Sequence, residues 1–542
     1  MMVSGVNSFG RLWAPKQTRL YVGRDVLAMP SAKAEEPKPW RKGVADDVTA
    51  ISKEAYAKYH TAMAENGYGQ YSVKSSDGRS VTMRMLGEDV EHGGKIIEIH
   101  VPGEAEARRY TVSEDTRITF DESGEPQLLS GGAASTGGVL RAQGKDEILI
   151  NFSSSKVEAG ENTTIINFAG PGGEFVSGLN TTYLGAYSGA KFTDGSGELT
   201  FAGVFDNSEI SVGQGRGIFS GVFTKSTLNG GALNDSFSGH FNEVKAYGYD
   251  GNDSFSGLFM EGSLIDAGAG NDNINGRFIR SSILAGDGDD SIGDFRLNGD
   301  PAQEFQFVAS NIDTGAGNNK IRAAALNSVI NLGKGDNRVH GIFQGSTMKN
   351  PEGNTQITAL LSKKTDYTTG TGETDMTLAT AAHSEVTTGE GKSTVNLGVA
   401  ENKHYSETID GEHRSLEHLV WAYAHRDDHA FGEVFSNHVN MEKGDASLSV
   451  STGKNSYTVH ARNEEVPTGR LDPLTGLPET ETQRAADVTE NLAADLSRVR
   501  TAVNVRLSTD LMLKFQAEDY GDVLNYNAGR GHKAYAYNLG RV

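Results

Sequence analysis

The chain has no cysteine among its 542 residues, only three tryptophans and twelve prolines, and far fewer basic than acidic side chains, 50 Lys and Arg against 71 Asp and Glu. Without cysteine, neither disulfide stapling nor thiol chemistry is open to it. A net charge of −21 argues against nucleic acid and against anionic membrane as electrostatic partners. No apolar run approaches the ~20 residues of a membrane-spanning helix. The opening stretch through Ala34 lacks the apolar core of a secretory signal peptide. What is plentiful is glycine, 67 residues of it, and it recurs on a period.

Tyr183, Phe201, Phe219, Phe237 and Phe255 follow one another at 18-residue steps. Each is followed by glycine at +2 and an aromatic at +4, as in Phe219/Gly221/Phe223, and Ile274/Gly276/Phe278 continues the series. Ile292, Ile321, Val339, Ile357, Met376 and Val395 extend it at 18 or 19 residues, apart from one step of 29 that holds an insertion around Asn298–Ser310. A second apolar residue stands nine positions after several anchors: Leu228, Leu264, Ile283, Ile330 and Met348. A fixed period of this size is the mark of a solenoid. Two short strands and two turns make one coil, and alternation within each strand turns its apolar residues inward. Anchor, glycine and +4 aromatic have even offsets, so they share one side of the strand. Stacked coils would set Phe223, Phe241, Phe259 and Phe278 in one internal ladder, with the glycine leaving room for the rings. Roughly a dozen coils at ~4.8 Å would give a rod of ~60 Å.

The stretch 248–293 adds chemistry to the period. Gly248–Asp253, Ala267–Asp272 and Ala285–Asp290 are glycine-rich turns that end in aspartate, each with a large apolar residue two positions on. Ala267–Asn275 (AGAGNDNIN) closely resembles the nonapeptide GGxGxDxUx of the repeats-in-toxin (RTX, hemolysin-type) family, U being a large apolar residue. Ala285–Gly293 matches equally well, and Gly248–Ser256 matches with Tyr249 in place of the second glycine. The resemblance implies a parallel β-roll with calcium between the glycine-rich turns of neighbouring coils, held by backbone carbonyls and the sixth-position aspartate. It maps that aspartate onto Asp253, Asp272 and Asp290, and the rest of the site onto Asp250, Gly251, Gly268, Gly270, Gly286, Asp287 and Gly288. A hard cation needs several oxygens at short range, which tight glycine turns and carboxylates supply. This chain departs from the family pattern in carrying the motif on one turn per coil instead of two. Leu233 stands at the fourth-position glycine before Asp235, Asn319 and Asn337 replace the aspartate, and Thr374 and Ser393 replace it later. The expectation is a short calcium column in the middle of a longer array.

The fold expected is mainly β: a parallel β-solenoid over 131–400, β-roll-like at 18–19 residues per coil, whose repeats are clearest from 165, with Ile148 and Ile150 in an early rung. Residues 1–45 hold four of the twelve prolines and read as extended or disordered. A small α+β domain is expected at 46–130, with a helix over Asp46–Glu65 and strands near Tyr71–Val73, Val81–Met85, Lys95–Val101, Arg109–Val112 and Arg117–Phe120. A C-terminal α+β region is expected after the array: a mixed cap at 401–463 with a helix at Ser415–His429 and a hairpin at Ala446–Ala461, a linker at 464–482, and a helical or mixed segment at 483–542 starting with a helix at Arg484–Val503. Both flanks are candidates to cap the array's open ends.

Other motifs point to function less directly. Thr388–Thr394 (TGEGKST) ends like a phosphate-binding loop, but the first glycine of GxxxxGK[ST] would fall on Val386, and the stretch lies in register with the calcium-type turns. His413, His418, His425, His429 and His438 cluster, and His425 and His429 are one helical turn apart, a spacing that can chelate zinc. No HExxHxxGxxH or GxSxG run accompanies them, which argues against an RTX-type protease or lipase. The resemblance therefore implies a calcium-binding, secreted or cell-surface protein, exported without an N-terminal signal peptide. Its role would be structural, adhesive or effector-like toward cell-surface or matrix glycans or proteins, with no nucleic-acid partner. Two rivals stand beside it: a lyase or epimerase acting on polysaccharide from a solenoid face, and a calcium-independent structural rod.

Overall fold

A computed structural model describes residues 70–539 except for segments 75–79, 101–105, 123–124, 169–171, 296–304, 399–405, 410–411, 416–433, 453–454, 492–500, 508–510, 518–521 and 529–534. The fold is mainly β, with a parallel β-solenoid of about 14 turns across residues 139–397. Among the described residues no helix is long and apolar enough to cross a membrane. Two compact units, 1–269 and 270–542, divide the chain.

In the first unit, β1 (Gln70–Lys74), β2 (Ser80–Glu88), β3 (Lys95–His100) and β4 (Arg108–Val112) form an antiparallel meander. The hairpin of β5 (Thr116–Phe120) and β6 (Pro126–Ser130) follows. These strands lie where the alternating runs predict them; the expected helix at 46–65 lies outside the described residues. β5 pairs antiparallel with Ile148–Asn151, Arg117 opposite Leu149, and so covers the first edge of the array. The meander packs through Met83, Ile97, Ile99 and Val112 on Ile148, Ile150, Ile166 and Leu184, the outward-facing residues of the first coils. Coils begin at Val139–Arg141, which pairs parallel with Lys156–Glu158, earlier than the clear repeat at 165.

Each coil has a long strand carrying the anchor and a three-residue strand carrying one inward residue. Glu198–Asp206, Arg216–Thr224, Ser236–Asn242 and Ser254–Met260 pair in parallel, residue for equivalent residue. The stack Tyr183–Phe201–Phe219–Phe237–Phe255 has ring centroids 4.5–5.2 Å apart. Its +4 companion, Tyr187–Phe205–Phe223–Phe241–Phe259, is spaced 4.3–5.3 Å. All of these rings are buried, each worth ~1.5–3 kcal/mol in area removed from water. The role expected for the intervening glycine is wrong. A Cβ at Gly239 would lie 2.1 Å from the carbonyl oxygen of Gly221 in the coil before, and Gly239 has φ +139°. The glycine serves a kink and a close backbone approach; the rings do not need its space.

A correction also applies to Leu264. It is half-buried, and Ile265 is the inward residue, in register with Ala246. The 19-residue coil spends its extra residue at the corner before the short strand, where Glu261 and Gly262 both have positive φ. That corner repeats. Asn207, Lys225 and Glu243 in the first unit, and Arg280, Ala309, Asn327, Lys364 and His383 in the second, hold φ of 47–55°. After most of them comes a buried hydroxyl that accepts the amide of its counterpart one coil earlier, as Ser226 Oγ does from Ser208 and Ser328 Oγ from Ser310. The left-handed residue turns the chain, and the hydroxyl satisfies an amide that the corner withdraws from the ladder.

In the second unit, coils run from Asn273–Ile279 onward. The insertion splits one long strand into Ser291–Ile292 and Phe307–Val308, which still pair with Lys320–Leu326. Parallel pairing continues past the last turn. Val434–Asn440 pairs with Glu385–Thr387, and Ala446–Thr452 pairs parallel with Ser393–Leu397. Ala446 pairs with Ala461 as the hairpin requires. The segment 464–482, expected as a linker, instead belongs to a long antiparallel hairpin of Asn455–Leu471 and Pro478–Asn491. Its prolines punctuate that hairpin: Pro473 lies in the closing turn, where the Gly476 amide donates to Asp472 O at 2.8 Å, and Pro478 opens a strand. Arg484–Asn491, expected to be helical, is strand, and so is Thr501–Arg506. Pairing with a ready edge overrides local helical preference here. The described residues of the C-terminal region are β. Of the helix expected at Ser415–His429, Ser415 ends a strand and the remainder lies outside the described residues, as do His418, His425 and His429; His413 is on the antiparallel strand 412–415 and His438 on the parallel strand 434–440.

Candidate metal centre

Within each unit the glycine–aspartate turns stack on one edge of the coils, and their fifth and sixth positions form two separate columns. The fifth is outside. Asn234 Oδ1 accepts from the Asn252 amide at 2.8 Å in the first unit. In the second, Asn271 accepts from Asp289, Asp289 from Asn318, and Asn318 from Asp336, at 2.7–2.9 Å. The sixth is inside: Asp235, Asp253, Asp272, Asp290, Asn319 and Asn337 are all 1–2 % exposed. Its side chains also bond from coil to coil. Asp253 Oδ1 accepts the Asp235 amide at 2.7 Å, Asp290 Oδ1 the Asp272 amide at 2.9 Å, and Asn319 Oδ1 the Asp290 amide at 2.9 Å.

The turns place these side chains by backbone constraint. A Cβ at Gly288 would lie 1.8 Å from Gly270 O, and Gly288 has φ +146°; only glycine allows turns to stack so closely. The amides of Gly251, Gly270 and Gly288 donate to Ala269, Asp287 and Ala316 carbonyls at 2.8–2.9 Å. Gly268 and Gly286 carry φ of +103° and +101°. Asp250 and Asp287, expected among the ligands, have exposed side chains, and the structure does not bring them into the buried column. Asp235, whose turn departs most from the motif, is in the column and fully bonded, accepting from the Gly217 and Gly231 amides.

Burial pushes the Asp235 carboxyl up to about 6 in spite of those two amide bonds. Asp290 is also pushed up to about 6, by burial first, against the Asp272 amide bond and with added repulsion from Asp272, Asp289 and Asp287. A row of carboxyls out of water is costly unless each gains a proton, a donor or a cation.

The neighbouring coils show what such a position needs. Where asparagine replaces aspartate, its amide nitrogen donates into the turn: Asn319 Nδ2 to Thr314 O at 3.0 Å, Asn337 Nδ2 to Gly333 O at 3.0 Å. Asp290 has an oxygen where asparagine has that donor, and its buried Oδ2 accepts no hydrogen bond. In the first unit, Asp253 Oδ2 and Ala267 O converge beside Gly248, where a methyl group would meet them at 2.1 and 2.2 Å. A carboxylate and a carbonyl oxygen brought so close to one spot are ligands of the kind a hard cation such as calcium takes. Among the described residues, no three His, Asp or Glu side chains converge as a metal cluster, so carbonyl oxygens would have to supply most of the ligands. Comparison with protein families, with characterised proteins and with solved structures returned no match to this chain.

Proposed function

We propose that the protein is an RTX-like β-solenoid that binds calcium along its buried aspartate column and works outside the cell in a structural, adhesive or effector role. The observation that carries this reading is Asp290 Oδ2, buried and without a hydrogen-bond partner, at a position where the next two coils place an amide donor. Calcium would supply the positive charge that the asparagines supply as N–H. Asp253, Asp272 and Asp290 would hold it together with turn carbonyls. The glycines bring those carbonyls within reach, and the aromatic stacks hold the surrounding coils whether metal is present or not. Millimolar calcium outside a cell would fill sites of modest affinity that a cytosol leaves empty, which ties the function to an exported protein. Calorimetric titration of the full-length protein with calcium, beside magnesium, tests the reading. Saturable calcium binding at or below millimolar concentration, lost in Asp290→Asn, is the expected result. No binding at that concentration would leave a metal-free rod with protonated carboxyls.

A further inference from the structure

Tyr249 is out of place in two ways. It sits in a left-handed turn conformation, φ +71°, at the motif position that the next coil gives to Gly268. A side chain there is strained, and burial does not offset the strain, because Tyr249 is 52 % exposed. Tyr247, half-buried, faces outward from the short strand 245–247 and stands in register between Asn229 and Asp266. The two rings are 6.0 Å apart at 29°, and the Tyr249 hydroxyl bonds to Asn229 Oδ1 at 3.2 Å. The pair is thus a fixed, nearly parallel aromatic surface outside the core, with the Asp266 carboxyl as the cross-strand neighbour of Tyr247 on the same face. Lys245 lies on that face at the other end of the strand, opposite Leu264.

We propose that Tyr247, Tyr249 and Asp266 form a docking ledge for an arginine side chain of a partner protein. The ring face takes the flat guanidinium by stacking and cation–π attraction, and the carboxylate accepts from its N–H groups. Arginine uses both features best, because its planar guanidinium stacks on a ring while its forked N–H groups reach the carboxylate. Lysine meets the ring only as a compact, strongly hydrated point charge, and a neutral sugar would gain the rings but not the charge. The chain's −21 charge would steer a basic segment toward it. None of these three side chains belongs to the sixth-position column.

The test uses the full-length protein at ~0.15 M salt, where exposed charges are screened beyond about 8 Å, and fluorescence polarisation of labelled hexa-arginine and hexalysine peptides. Tyr249→Gly installs the residue of the neighbouring coil and changes no charge, so an unchanged circular dichroism spectrum is expected. It should weaken hexa-arginine about 3- to 10-fold and hexalysine by less, whereas Asp266→Asn should weaken both. Equal binding of the arginine peptide by parent and Tyr249→Gly, or no preference for arginine over lysine, would overturn the proposal in favour of unspecific attraction to an acidic surface. So would saturable binding of a neutral oligosaccharide, lost in Tyr249→Gly, without an arginine preference.

Discussion

Replacing Asp290 by asparagine should make the metal-free protein more stable while removing its response to calcium. At pH 7.5 the parent holds at Asp290 a carboxyl raised from 3.8 to about 6. That displacement, at 1.36 kcal/mol per pH unit, corresponds to ~3 kcal/mol of instability for the charged form. Asparagine removes the charge, and its nitrogen gains a turn carbonyl as in Asn319, worth ~1 kcal/mol. The gain should be ~2–4 kcal/mol, equivalent to slowing local amide exchange about 30-fold or more. Hydrogen exchange of residues 285–293 is the assay, in chelator and in millimolar calcium. The parent should be weakly protected in chelator and gain strongly with calcium. Asp290→Asn should be protected in both. The mirror substitution, Asn319→Asp, removes the donor to Thr314 O and should move a second turn toward calcium dependence. Lower protection of Asp290→Asn than of the parent in chelator would refute the argument, because the carboxylate would then be a stabilising group in its own right.

Acidity offers an independent check. Asp235 and Asp290 are held at about 6 against an ordinary 3.8, so the folded state binds their protons more tightly than the unfolded chain does. Their stabilisation is complete below pH ~4 and disappears as pH rises through 6. Urea midpoints in chelator should therefore fall between pH 4 and 7, while calcium affinity rises over the same range as binding expels protons; flat profiles would mean these carboxyls are solvated. In the aromatic stacks, Phe241→Ala should cost ~3–5 kcal/mol, read as a lower urea midpoint that calcium does not restore. Gly239→Ala should destabilise as well, because its Cβ meets backbone that cannot rotate away; a neutral result would return the glycine to a mere spacer.

The long strands, the anchors and the aspartate turns were all legible in the sequence because stacking sets each residue against its own equivalent. A period in the chain then becomes a column in the fold. The position of the first coil was harder to read, since Val139–Arg141 and Ile148–Asn151 carry no Phe–Gly–Phe signature. The serine corner had a signal, Ser208 and Ser226 and later Ser310, Ser328 and Ser346 at 18-residue steps. Left-handed Lys225, Glu243 and Ala309 had none, as their side chains share nothing. Prolines misled at 464–482, where Pro473 belongs to a turn and Pro478 to a strand start, both compatible with a hairpin. The candidate site was half visible. The motif marks the carboxylates that go inside, Asp253, Asp272 and Asp290, but it does not say that the third-position Asp250 and Asp287 stay exposed.

The split strand at Ser291–Ile292 and Phe307–Val308 shows how this architecture tolerates change. Fourteen intervening positions leave Ile292 opposite Ile321 and Phe307 opposite Ala325, so pairing is resumed where it was left. Added sequence is harmless when it loops out and returns to the same column, and harmless again when it comes as a complete 18- or 19-residue turn. A single residue added within a long strand is different: unless it is absorbed on the spot, it would turn the outward side chains beyond it inward. Two devices absorb it here. The extra residue that follows Phe259 is placed at a corner, beside Glu261 and Gly262, and the one in Asn354–Lys363 is a bulge at Leu360, which the pairing of Gly341 with Ala359 and Ile342 with Leu361 skips. Such a chain can lengthen by duplicating whole coils and vary by grafting loops, and it takes single residues only where a corner or a bulge can hold them.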